Sequence, residues 1–105
     1  MDKRTPLSRE EALNLVRRYK QVIRPRFAEE PKVLMFGSYS KGYANPDSDI
    51  DVAVIVPTYG DRKMEISKKL WRDVREVSFL IEPVLMAEDH WSPLYDDVMR
   101  TGVTV

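Results

Sequence analysis

The sequence contains no cysteine, a single histidine and only four glycines among its 105 residues. The absence of cysteine excludes disulfide bonds, thiol catalysis and a cysteine-ligated zinc site. No uninterrupted apolar run approaches the roughly 20 residues that a transmembrane helix needs. Residues 1–4 lead into no apolar signal segment. We therefore expect a cytoplasmic protein without a membrane partner.

Basic and acidic residues are equal in number but unevenly placed along the chain. There are 17 of each, so the formal net charge is zero, and binding of nucleic acid through a general basic charge is not expected. Residues 1–32 carry a net charge of +4, and residues 33–105 carry a net charge of −4. The acidic excess therefore lies in the part of the chain that also holds a carboxylate motif.

The hydrophobic pattern predicts a single domain over residues 1–105 with an α+β (α/β-like) fold. A first helix is predicted after Ser8, which with Glu11 has the spacing of a capping box, and it ends at Pro25. Later segments predict a small three-stranded mixed sheet flanked by helices. The predicted strands cover residues 33–36, 49–56 and 78–87, and the later helices cover residues 61–76 and 93–100. The apolar residues of the 61–76 helix that are expected to face the core are Met64, Leu70, Trp71, Val74 and Val77.

Two aspartates at the start of the 49–56 strand are the most informative pair. Asp49 and Asp51 are two residues apart, so their side chains share one face of the sheet, about 6.6 Å apart along the strand. Carboxylates this close repel each other unless a cation lies between them. Ligation by oxygen alone suits Mg²⁺ or Mn²⁺ rather than zinc. An isolated pair of aspartates at this spacing is usually a solvated surface feature. Whether this pair binds a metal therefore has to be judged from the neighbouring residues.

A glycine and a serine follow the first predicted strand. Gly37 lets the backbone approach a ligand closely, and the free N–H groups of a helical turn that begins here would favour a phosphate. The Ser38 hydroxyl adds another donor. Alone, this dipeptide is a common turn. Together with Asp49 and Asp51 it supplies both halves of a nucleoside triphosphate site.

Residues 36–42 and 45–52 resemble a known signature. Gly37 and Ser38, then ten residues, then Asp49 and Asp51 resemble the motif of the DNA polymerase β-like nucleotidyltransferase superfamily. The likeness is strongest to the minimal nucleotidyltransferases (MNT), the antitoxins of HEPN/MNT toxin–antitoxin pairs. The resemblance implies the minimal nucleotidyltransferase fold, with magnesium as the metal and ATP as the nucleotide.

The resemblance also implies a third carboxylate on a later strand, where Glu82 stands. An ionised glutamate in an apolar strand is unfavourable unless it has a partner, which supports this assignment. The family residue is more often aspartate, and Pro83 follows, so the strand is expected to lie at an edge or to contain a bulge. Glu88 and Asp89 are weaker candidates for the third carboxylate because they lie at the end of the predicted strand.

Two other polar residues have less specific interpretations. Lys41 lies three residues after Ser38, where related sequences often have arginine, so it is a candidate contact for the triphosphate; a solvated lysine fits equally well. His90 is interpreted as a surface residue rather than a general base.

The resemblance implies transfer of AMP from ATP to a hydroxyl, with tyrosine as the expected acceptor, on a HEPN-family RNase toxin. In this scheme Asp49, Asp51 and Glu82 hold the metal, while Gly37 and Ser38 orient the pyrophosphate. The chain ends about twenty residues after Glu82, so we expect the acceptor site to belong to a partner protein.

Two alternatives remain open at the level of sequence. The chain could be a binding module that keeps the fold and neutralises its partner by masking. A third reading is a small-molecule nucleotidyltransferase subunit acting on an aminoglycoside-like acceptor. Apolar residues compatible with masking are expected at the surface near Trp91, Leu94 and Tyr95.

Overall fold

The computed structural model describes residues 7–105 as four α-helices around one mixed sheet. The N-terminal residues 1–4, in which no signal segment is expected, lie outside the described residues. The helices are α1 (Arg9–Ile23), α2 (Ser38–Lys41), α3 (Lys63–Asp73) and α4 (Pro93–Thr101). The strands are β1 (Lys32–Phe36), β2 (Ile50–Val56), β3 (Ile81–Ala87) and β4 (Val103–Thr104). Single 3₁₀ turns follow α1 and α3, at Arg24–Arg26 and Val74–Glu76.

The strand order in the sheet is β3-β2-β1-β4. β1 pairs with β2 and with β4 in antiparallel fashion, whereas β2 and β3 are parallel. A parallel pair needs a crossover connection, and here α3 provides it. The predicted α+β fold with a mixed sheet is therefore confirmed. β3 lies at one edge of the sheet, as the proline at position 83 predicted.

Different helices cover the two faces of the sheet. The side chains of β2 alternate between the two apolar clusters that lie on these faces. Ile50, Val52 and Val54 pack against residues of α1 and α3. Ala53 and Ile55 pack on the opposite face together with Val98 of α4. Asp51 belongs to this second face by alternation. The predicted helix cap is also present, since Ser8 and Glu11 form a complete capping box at the start of α1.

The sheet has four strands rather than the predicted three. Val103 pairs with Met35, and Thr104 pairs with Leu34. Two residues are too few to show a strand period, so only the tertiary pairing against β1 reveals β4.

The orientation predicted for two apolar residues of α3 is wrong. Leu70 and Val74 are buried, but Met64 is 70% exposed and Trp71 is 48% exposed. α3 packs on the sheet through the side that carries Leu70 and Val74, and a helix advances 100° per residue, so Met64 and Trp71 lie on another side. Apolar identity alone did not predict burial here.

Candidate active site

The strand register brings the predicted acidic residues to one end of the sheet. Asp51 in β2 is paired with Phe36 in β1 on one side and with Glu82 in β3 on the other. Asp49 immediately precedes β2 and is exposed. Gly37 directly follows Phe36. The same end of three neighbouring strands therefore carries the Gly-Ser turn, the two aspartates and Glu82.

Gly37 lies directly against the Asp51 carboxylate. A Cβ atom added to Gly37 would lie 2.1 Å from Asp51 Oδ2, closer than real Cβ contacts. The backbone of Gly37 has φ 77° and ψ −149°, a combination that is essentially restricted to glycine. Both the conformation and the close approach therefore require glycine at the point where the candidate phosphate turn meets the candidate metal ligand.

The carboxyl groups of Asp51 and Glu82 are affected by burial and by neighbouring negative charge. Burial raises the pKa of Asp51, and the neighbouring Asp49 charge adds to the increase. Burial also raises the pKa of Glu82, as do the charges of Asp49 and Asp51. Both aspartates lie within hydrogen-bonding reach of Glu82. A nearby positive charge or a proton would therefore reduce the repulsion within this cluster.

The donor set fits magnesium or manganese better than a metal that needs a closed protein cage. Within residues 7–105, no three acidic or histidine side chains are already arranged as a complete metal-binding group. Mg²⁺ is usually held by one or two carboxylates together with waters and substrate phosphates. Asp49, Asp51 and Glu82 offer only oxygen donors, which is the ligand type that such an ion takes.

The short helix α2 starts at the Gly-Ser turn and is fixed from α4. The hydroxyl of Ser40 contacts both the Gly37 carbonyl (3.3 Å) and the Thr101 carbonyl (3.2 Å). The first N–H groups of a helix have no partner within the helix, so those at the start of α2 are available to a ligand. Sequence reasoning missed Ser40, because its carbonyl partner at Thr101 is 61 residues away.

A comparison with protein families identifies the chain. The model of the nucleotidyltransferase domain family matches residues 16–97, a span that includes the Gly-Ser turn and all three carboxylates. The chain belongs to the nucleotidyltransferase domain family. The resemblance to the nucleotidyltransferase superfamily is thereby confirmed.

Individual nucleotidyltransferase relatives match along nearly the whole chain. A Methanocaldococcus jannaschii protein, provisionally named a protein adenylyltransferase, is 28% identical over 99 residues. The match covers 90% of this chain and 99% of that protein.

Solved structures of similar proteins show the same nucleotidyltransferase fold. A crystal structure from Sulfolobus solfataricus, provisionally named a nucleotidyltransferase, aligns with a TM-score of 0.62 at 19% identity, covering 92% of this chain and 81% of that chain. A chain of the MntA-HpeT toxin-antitoxin complex gives a TM-score of 0.51 at 19% identity, covering 93% of this chain and 71% of that chain.

The remaining predicted polar residues lie outside the carboxylate cluster of this nucleotidyltransferase domain. The Lys41 ammonium is 3.4 Å from an Asp97 carboxylate oxygen in α4, so its triphosphate contact remains a prediction. Glu88 forms an ion pair with Lys32, at 3.0 Å. His90 is exposed, and its ring centroid lies 6.0 Å from that of Tyr59.

The nucleotidyltransferase domain also has a cavity of about 400 Å³ near the other end of β2. Its lining includes Arg26, Phe27, Val56, Arg62 and Lys69, and none of the predicted site residues. The candidate active site lies at the opposite end of β2 from this cavity. Within residues 7–105, no helix combines the length and apolar character needed to cross a membrane.

Proposed function

We propose that the protein transfers AMP from ATP to a tyrosine hydroxyl of a HEPN-domain RNase toxin and thereby neutralises it in the cytoplasm. The observation that carries this proposal is the register of Phe36, Asp51 and Glu82 across β1, β2 and β3, with Gly37 directly after Phe36. The relative provisionally named a protein adenylyltransferase supports a protein acceptor. The fold shared with a chain of a toxin-antitoxin complex is consistent with a toxin partner.

The residues divide the transfer into three tasks. Gly37 and Ser38 hold the pyrophosphate part of ATP through backbone N–H groups and a hydroxyl. Asp49 and Asp51 are proposed to hold Mg²⁺, which when bound neutralises the charge developing at the α-phosphate. The bond from the acceptor oxygen to the α-phosphorus forms while the bond to pyrophosphate breaks. Glu82, beside Asp51 in the β2–β3 register, is proposed to help hold the metal and to accept the hydroxyl proton.

The test uses the purified chain, the HEPN-domain protein, ATP and Mg²⁺, followed by intact-mass and peptide mass spectrometry. We expect the HEPN-domain protein to gain the mass of an AMP group on tyrosine and the Asp49→Asn variant to produce none. Asp61→Asn is the matched control, since Asp61 is exposed beyond the other end of β2. Absence of AMP with the wild-type chain would reject the proposal. Neutralisation that persists in Asp51→Ala would instead favour masking.

A further inference from the structure

The carboxylate of Asp97 in α4 binds one basic side chain from α2 and another from α4. Asp97 Oδ2 lies 3.4 Å from the Lys41 ammonium at the end of α2, and Asp97 Oδ1 lies 3.2 Å from the Arg100 guanidinium. Lys41 is the only basic residue between positions 33 and 61, and Arg100 is the only one between positions 76 and 105. A single carboxylate is therefore shared by the basic residues of both helices.

α4 lies on the same face of the sheet as the carboxylate cluster. Val98 of α4 packs with Ala53 in the apolar cluster of that face, and Asp51 belongs to the same face by the alternation along β2. The other basic residues after position 33 all lie in the segment 62–75, whose helix α3 packs on the opposite face. Asp97 therefore reaches Lys41 from the side of the sheet that carries the candidate active site.

α2 itself places Lys41 beside the Gly-Ser turn. The Lys41 N–H donates to the Gly37 carbonyl at 3.0 Å, and Ser38 precedes Lys41 by three residues. Residues three apart on a helix are neighbours on its surface, and helical side chains lean toward the N-terminal end of the helix. The flexible four-carbon side chain of Lys41 can therefore turn toward a phosphate held at Ser38.

The backbones of α2 and α4 are connected independently of Lys41. The Ser40 hydroxyl donates to the Thr101 carbonyl at 3.2 Å, and the Thr101 hydroxyl donates to the Asp97 carbonyl at 2.8 Å. These hydrogen bonds do not involve the Lys41 side chain. Movement of the ammonium away from Asp97 therefore requires rotation of one side chain and leaves the two helices in place.

The contact between Lys41 and Asp97 is suited to exchange. The two side chains are 34% and 31% exposed, and an ion pair in contact with water contributes little to stability. A polyphosphate carries several negative charges, so it attracts the ammonium more strongly than the single charge of Asp97 does. Asp97 keeps Arg100 as a partner when Lys41 leaves, so the carboxylate is not left unpaired.

We infer that Asp97 is a positioning residue that holds Lys41 beside the Gly-Ser turn in the free protein and releases it to the β- and γ-phosphates of ATP. The inference rests on the proposed function for the identity of the substrate. Because Asp97 competes with the triphosphate for the same cation, it lowers the affinity for ATP. Asp97 binds Lys41 again when pyrophosphate leaves, so it also lowers the affinity for this product and favours its release.

The test measures binding of ATP and of inorganic pyrophosphate, each with Mg²⁺, by calorimetry on the purified chain without an acceptor. Asp97→Asn should bind both ligands about threefold to tenfold more tightly, because Lys41 no longer has to leave a charged partner. Lys41→Met should bind both ligands at least about tenfold more weakly, because it lacks the charge-assisted hydrogen bond to phosphate. In a Lys41→Met chain, Asp97→Asn should change the affinity by less than about twofold.

Asp96→Asn is the matched control because it removes the same charge from the same turn of α4. Asp96 is exposed, and it takes part in none of the ion pairs found within residues 7–105. Its affinity for ATP should change by less than about twofold, since exposed charges are screened by salt. A gain in affinity cannot arise from damage to the fold, and the melting temperatures of Asp96→Asn and Asp97→Asn should be similar.

Each outcome separates the role of Asp97 from the proposed AMP transfer. Unchanged or weaker ATP binding by Asp97→Asn overturns this role, as does an equal gain in Asp96→Asn or a gain that persists in the Lys41→Met chain. The expected affinities, with no AMP transferred to the HEPN-domain protein, would support the role of Asp97 and reject only the proposed transfer. Absence of ATP and pyrophosphate binding in the wild type and in every variant would overturn both.

Discussion

Replacing Gly37 by alanine tests the closest contact in the candidate active site. The new Cβ would lie 2.1 Å from Asp51 Oδ2, 3.1 Å from its Cγ and 3.3 Å from its Cβ. Rotation of the carboxylate could move the oxygen but not the Asp51 Cβ, which is fixed by β2. Part of the backbone therefore has to shift, and the Gly-Ser turn moves away from the carboxylate cluster.

Gly42→Ala is the matched control because it has a positive φ without a clash. Gly42 has φ 84° and ψ 19°, and nothing lies within 4 Å of an added Cβ. A left-handed conformation costs an alanine about 1 to 2 kcal/mol, the expected loss for Gly42→Ala. Gly37 has a rarer conformation and the contact with Asp51, so we expect a loss of about 3 to 5 kcal/mol in the free energy of unfolding.

Thermal unfolding and ATP calorimetry of both variants measure the difference. The two losses differ by about 1 to 4 kcal/mol, and 1 kcal/mol shifts the melting temperature of a domain of this size by about 4 to 8 °C, so Gly37→Ala should melt at least about 4 °C below Gly42→Ala. Only Gly37→Ala should lose Mg²⁺-dependent ATP binding. The Asp51→Ala variant lacks Oδ2 and Cγ, the two atoms nearest to the added Cβ. In that variant, Gly37→Ala should therefore be less destabilising. Equal melting temperatures for the two glycine variants would refute the close approach.

Three further changes have predicted effects on stability. Asp51→Asn should raise the melting temperature of the metal-free protein at pH 7, and this gain should shrink as the pH falls toward about 4. The reason is that folding raises the pKa of Asp51. The stability that Asp51 contributes is therefore complete at low pH and is lost as the pH rises through that pKa. Arg26→Ala should lower the free energy of unfolding by about 2 to 3 kcal/mol in a denaturant titration, because it leaves the buried Asp73 carboxylate without its bidentate partner. Tyr19→Phe should lower it by about 1 to 2 kcal/mol, because its hydroxyl donates a buried 2.7 Å hydrogen bond to the Leu70 carbonyl.

Each of these predictions has its own control. Added Mg²⁺ should stabilise the wild type at pH 7 but not Asp51→Asn, and a gain that is independent of pH would contradict the electrostatic explanation. Arg24→Ala removes only an exposed ion pair at 4.0 Å and should change stability by less than about 1 kcal/mol. If Arg24→Ala and Arg26→Ala have the same free energy of unfolding, the Arg26–Asp73 ion pair does not stabilise the fold. Tyr39→Phe removes a weaker 3.3 Å hydrogen bond from the Leu7 N–H and should be milder than Tyr19→Phe.

The local sequence was sufficient for the elements that depend on short-range patterns. Ser8 and Glu11 predicted the cap of α1 because a capping box is complete within four residues. The alternation along β2 predicted which side Asp51 faces, since a strand period needs only its own residues. Pro83 predicted an edge strand because proline lacks the N–H group that a central strand requires.

The tertiary structure decided the features that depend on residues far apart in the chain. The sequence by itself determined the α+β class and the residue types of the candidate site, because spacing and hydrophobic alternation are local properties. Only the strand register placed Glu82 beside Asp51, and only the packing of α3 against the sheet turned Trp71 outward. Pairing and helix orientation are set by the whole core, and no short segment contains that information.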